Sequence, residues 1–366
     1  MSTGRAAAAL LAGVLLTVAC SSPGGEETSS SSETPAVTPL VEIRLEPQES
    51  GTDVLLQAVS AVDEKVVWVS GHEGTWARTL DGGRTWSAHV MPGADTLQFR
   101  DVHALDAERA WLLSAGPGEL SRIYRTLDGG ETWELQFLNP EPDGFYDCLE
   151  FRDARYGIAY GDAVDGELRI LRTHDGGETW EYTRSSAIPR ALRGEGGFAA
   201  SGTCIALGPD GRAWIGTGAA DTARVLTTLD EGRTWTAIAA PLPAGEAAGI
   251  FTIAFRDSLH GVILGGDLSR PDEHTDNVAA TSDGGLTWEV SGRPVLTGAI
   301  YGAAYVPGGP TPTVVAVGPH GADWSSDEGL TWSSADTVSY WGLGIVSPDA
   351  GWLVGPEGRI VRISFH

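Results

Sequence analysis

The chain has 366 residues and carries 24 basic against 49 acidic side chains, a net charge of −25. A field of that sign makes nucleic acid and anionic membrane surfaces poor partners. Lys65 is the sole lysine, and no metal-protease helix, paired CxxC, glycine-rich phosphate loop, nucleophile elbow, nicotinamide, flavin or haem motif occurs, so no cofactor is expected.

In chain order, residues 1–19 hold one basic side chain, Arg5, then the apolar run 6–16 and small residues up to Cys20, the pattern of a cleaved export signal. Residues 17–20, Thr-Val-Ala-Cys, resemble a bacterial lipobox, with the leucine one place early at Leu16. The resemblance implies that Cys20 is lipidated and anchors the chain to an envelope membrane, facing the periplasm or the cell surface. Residues 20–38 are rich in Ser, Glu and Pro and read as a disordered tether behind that lipid. Removal of residues 1–19 takes away Arg5 and no acid, leaving 23 basic and 49 acidic residues, or −26.

From residue 39 to 366 the chain repeats an octad, Ser/Thr-x-Asp-x-Gly-x-Thr-Trp, six times. Its aspartates are Asp81, Asp128, Asp175, Asp230, Asp283 and Asp327, spaced by 47, 47, 55, 53 and 44 residues, a period suited to four-stranded propeller blades. Each residue type serves a tight turn: Asp accepts bonds from its own backbone, Gly supplies φ > 0, and Thr-Trp restarts a strand. The tryptophans Trp86, Trp133, Trp180, Trp235, Trp288 and Trp332 read as wedges at equivalent places in the blades.

These octads resemble Asp-box, or BNR, repeats, as found in sialidases, sortilin-type receptors, some glucanases and the YCF48-type photosystem II assembly factors. The resemblance covers the chain from about residue 40 onward and implies a β-propeller with the octads structural. Seven apolar second strands can be counted against six octads, beginning at residues 66, 109, 156, 212, 260, 313 and 350. The last unit supplies three strands, and the alternating segment 40–47 makes a fourth for it, closing the ring without free edges. The expectation is an all-β, seven-bladed propeller of four-stranded antiparallel blades, monomeric, sealed by its N-terminal strand.

Cys148 and Cys204 fall at equivalent places in the innermost strands of consecutive blades. They are either an inter-blade disulfide or two buried thiols.

Ligands of propellers usually meet the channel mouth, and the longest mouth loop here is 184–202, with Arg184, Arg190, Arg193 and Glu195. Arg100, Asp101, His103, Tyr146, Asp147, Asp162 and Asp267 complete the candidate face, and Trp76, Tyr146, Tyr301 and Trp341 are candidate stacking platforms. Arginines there suit carboxylates or an acidic peptide; alternatively they pair with the neighbouring acids and hold loops. The acid-rich excursion 267–276 offers hard oxygens to calcium, although without EF-hand spacing.

The expected function is a non-catalytic envelope scaffold that holds a protein partner at the mouth. The alternatives are a sialidase-like glycoside hydrolase or a glycan-binding surface protein. The hydrolase needs a carboxyl pair that sequence does not place, and the sialidase Arg-Ile-Pro segment is missing.

Overall fold

A computed structural model describes residues 42–366; the export signal, Cys20 and the tether lie outside the described residues. Twenty-eight strands make seven four-stranded antiparallel sheets. Six blades run inner to outer in chain order, with innermost strands Leu56–Ala61, Phe99–Ala104, Tyr146–Phe151, Ile205–Leu207, Ala248–Phe255 and Gly302–Tyr305. Blade 7 takes Gly342–Ser347, Ala350–Val354 and Ile360–Phe365 from the C-terminus and Ile43–Gln48 from the N-terminus. That last pair runs antiparallel from Ile43 opposite Phe365 to Gln48 opposite Ile360, so the ring is sealed by the N-terminal strand.

All six octads occupy the turn between third and fourth strands and fold alike. In the first, the Thr79 hydroxyl donates to Asp81 Oδ1 at 2.9 Å and accepts from the Gly83 N–H, while Thr85 donates its N–H to Asp81 Oδ1 and its hydroxyl to Oδ2. The same four bonds recur around Asp128, Asp175, Asp230, Asp283 and Asp327. The fifth residue is left-handed throughout, φ +69° to +89°, which explains its glycine. Where the fourth is Glu231 or Glu328, also left-handed, the side chain reaches an arginine of the preceding blade, Arg152 at 3.0 Å or Arg256 at 2.7 Å.

The deepest wedges are the second-strand tryptophans Trp68, Trp111, Trp214 and Trp352, all 1% exposed or less. Trp111 stacks on Phe151 of the next blade at 3.8 Å, and its indole N–H reaches the Gly176 carbonyl in that blade's octad. Trp214, Phe255 and Gly284 repeat the arrangement. Octad tryptophans cover this contact edge-on: Trp180 over Phe151, Trp288 over Phe255. Of the six, Trp235 and Trp288 are buried and the other four half-buried.

Candidate functional site

In this topology, loops between blades and loops joining second to third strands share one face, the mouth. First-to-second loops and the octads share the other. The innermost strands begin at the mouth, and four of them carry a register shift there, which inserts one extra residue: Gln57, Arg100, Asp147 and Phe251. Thr203, Tyr301 and Trp341 stand at the corresponding points of blades 4, 6 and 7. The ring is thus divided into a polar arc, Gln57 to Thr203, and an aromatic arc, Phe251 to Trp341.

The loop 184–202 crosses this ring and plugs it. Gln57 of blade 1 donates to the Ala199 carbonyl at 2.8 Å, and Ser201 donates to the Tyr301 carbonyl of blade 6 at 2.7 Å. Phe198 stacks on Phe251 at 3.9 Å, and Tyr301 lies 4.9 Å from Trp341. Gly197 abuts Asp147 so closely that a Cβ would sit 2.6 Å from its Oδ2, and Gly202, at φ +77°, abuts Asp101 in the same way. Larger side chains at 197 and 202 would lift the plug.

Below the mouth, Cys148 and Cys204 are disulfide-bonded, Cα atoms 6.1 Å apart, tying blade 3 to blade 4 at the base of the loop. Glu195 is 1% exposed and fully engaged: Arg224 clamps both its oxygens, Thr217 donates to Oε1 and the Leu192 N–H to Oε2, each at 2.8 Å. It anchors the loop.

Asp147 and Asp162 lie within hydrogen-bonding reach of each other beneath Gly196 and Gly197. Burial and then the neighbouring Asp162 charge push the Asp147 carboxyl well up, and burial raises Asp162, whose Oδ1 accepts from the Gly197 N–H at 2.9 Å. Each carboxyl thereby resists ionisation beside the other. Burial likewise raises Asp101, which accepts the Leu149 N–H at 2.7 Å. Arg100 is held by Gln98, at 3.0 and 2.6 Å, and burial lowers its guanidinium.

The structure therefore gathers Arg100, Asp101, Asp147, Asp162 and Glu195 at the mouth around the plug. Arg184, Arg190 and Arg193 lie exposed on the outside of the loop and form no ion pair among the described residues. Asp267 caps its own turn through Ser269 and Arg270, apart from the others. His103 is at the far end of its strand, next to the first-to-second loop, where it faces Glu150 at 3.3 Å. Tyr146 is wholly buried against Phe137 between blades, and Trp76 is buried on Trp68, so neither offers a platform; Tyr301 and Trp341 remain half-exposed. In the excursion 267–276, Asp276 pairs with Arg293, and among the described residues no three acidic, histidine or cysteine groups converge on a metal position.

Sequence reasoning missed the plug, Gln57, Phe198, Phe251 and Thr203. A register shift is invisible in a single strand, although FYDC and GIFT each carry an out-of-phase polar or aromatic residue at the shifted place.

Comparison with known proteins places this geometry. No protein-family model and no curated protein matches the chain. Solved structures do. YCF48 bound to a D1 peptide shares 19% identity at a TM-score of 0.60, over 87% of this chain and 96% of that one. YCF48 from Cyanidioschyzon merolae shares 16% at 0.63, over 87% and 98%. A GH74 xyloglucanase from Xanthomonas campestris shares 14% at 0.62, over 88% of this chain but 55% of its own. These are likenesses of fold.

Proposed function

We propose that this protein is a non-catalytic scaffold of the cell envelope that holds a carboxylate-bearing segment of a protein partner at its channel mouth. The observation that carries the reading is the loop 184–202. Its base is locked by Glu195 and Arg224, its tip fills the channel, and it leaves Arg184, Arg190 and Arg193 exposed and, among the described residues, without an ion pair, on a chain of net charge −25. Guanidinium forks held on a fixed loop suit bidentate recognition of carboxylates. The peptide held by the YCF48 of like fold is in keeping with this role.

Hydrolysis gains no such support. Tyr146 and Glu195, which a sialidase-like reading would employ, are both buried, and Glu195 is also clamped by Arg224. Asp147 and Asp162 sit beneath the plug and face each other rather than a cleft. A glycan-holding role is favoured by one observation, the half-exposed Tyr301 and Trp341 pair at the mouth. The export signal and the Cys20 lipobox support lipid anchorage on a bacterial envelope membrane, with the propeller on the tether of residues 20–38.

The test is capture from detergent-solubilised envelope with the chain beginning at Ser21, beside an Arg184→Ala/Arg190→Ala/Arg193→Ala variant of equal thermal stability. A stoichiometric protein lost in the variant is the expected result. Equal capture by both forms overturns the reading and sends the mouth to glycan arrays.

A further inference from the structure

The opposite end of the channel holds a second cavity, independent of the mouth. Its floor is the underside of the plug, Gly202 and Thr203, and its walls come from the innermost strands of blades 3 to 6. The loop 306–312, with three prolines and two glycines, forms its rim on the octad face. The volume is about 760 Å³, within the range of small-ligand sites. It stays open because equivalent positions on three successive inner strands carry only alanine: Ala206, Ala254 and Ala304.

Its charges are unequal. Glu150 lines the cavity, is one-third exposed, and among the described residues has a single polar side-chain partner, His103 Nδ1 at 3.3 Å. A carboxylate accepts about four hydrogen bonds, so most of its capacity is unspent. The cation in the lining, Arg256, is already consumed by Asp257 and Glu328, each at 2.7 Å, and Tyr305 donates to Glu328 at 3.1 Å. Three carboxylates against one guanidinium leave the cavity and its edge net negative. Ile205, Leu207, Ile253, Phe255 and Val306 supply apolar wall.

We propose that this cavity binds an alkylammonium or alkylguanidinium group, its cationic head on Glu150 and its stem along Ile253 and Val306. A charge-assisted bond to a half-buried carboxylate distinguishes such a cation from a neutral alcohol of the same length by about ten-fold or more. The site shares the plug's underside at Gly202 and Thr203 but uses none of Arg184, Arg190 and Arg193, so the two readings are tested by different side chains.

The experiment titrates pentylamine, pentanol and pentanoate into the chain beginning at Ser21, followed by amide chemical shifts of the Ala248–Phe255 strand. Saturable binding of pentylamine, with pentanol about ten-fold weaker and pentanoate excluded, is expected. Glu150→Gln should lose that ten-fold, whereas Arg190→Ala/Arg193→Ala should bind pentylamine unchanged. The ranking of the three probes on the unaltered chain stands even if the Glu150 variant misfolds. Pentanol or pentanoate binding as well as the amine, or no saturable binding, overturns the proposal. Nα-acetyl-lysine methylamide separates the two sources of such a cation: binding equal to pentylamine supports a partner's side chain, and exclusion alongside pentylamine binding supports a free small amine.

Discussion

The two faces of this propeller hold the same residue type in opposite states. On the octad face, hydroxyl and backbone N–H bonds from Thr132 hold Asp128 down at about 2, and those from Thr287 do the same for Asp283. At Asp175, Asp230 and Asp327 burial pulls upward, and the octad bonds outweigh it. At the mouth, burial wins, and Asp101, Asp147 and Asp162 are all raised. Burial and donors compete for the sign: three or four N–H and O–H groups hold an octad aspartate low, whereas the deeper burial at the mouth outweighs the fewer bonds there and raises the carboxyl.

The contrast can be broken in graded ways. Removing the disulfide with Cys148→Ser/Cys204→Ser should cost most, about 2–4 kcal/mol, because it frees a loop of 56 residues at the base of the plug. Urea unfolding with and without reductant measures it; a wild-type midpoint unmoved by reductant under unfolding conditions would contradict it. Asp327→Ala strips one octad of its bonds from Thr331 and Ser325 and should cost about 1 kcal/mol, with the rest of the ring unchanged by amide exchange.

Acid titration separates the faces by direction. Asp128 and Asp283 lie below the unfolded value of about 3.9, so the folded state binds fewer protons there. Their stabilisation is present above pH about 4 and is lost as pH falls through about 2. The Asp147–Asp162 pair is raised, so the folded state binds more protons, and stability declines as pH climbs above about 4 through the folded value. Asp147→Asn should therefore gain on the wild type as pH rises above about 4. Urea midpoints at three pH values show it, and a constant difference would refute it. Least of all should follow from Leu286→Ser: this octad side chain is 64% exposed, so the change stays within about 0.5 kcal/mol.

Much of the fold was legible because its signals are local. An octad closes its hydrogen bonds within eight residues, so the sequence states the turn completely, and seven second strands against six octads imply the closure found between Ile43–Gln48 and Ile360–Phe365. The site was less legible because its determinants are not local. Asp147 turns toward the plug by an inserted residue, and its neighbour Tyr146 goes into the core; no count along FYDC decides which. His103 belongs to the wrong end of its strand by four residues. The loop 184–202 reads as a rim, and only the distant Gln57 and Tyr301 reveal that it fills the channel.

The seam in blade 7 has a temporal consequence. Ile43–Gln48 is made long before its partner Ile360–Phe365, 317 positions on from Ile43 to Ile360, so the opening strand must wait for that segment. Until Ile360–Phe365 emerges, the ring is an open arc with two unsatisfied edges, held by contacts of growing sequence distance. A chain built this way defers its closing step until that segment has been made, however early the other six blades fold. Removing Ile360–Phe365 would leave the arc permanently unclosed.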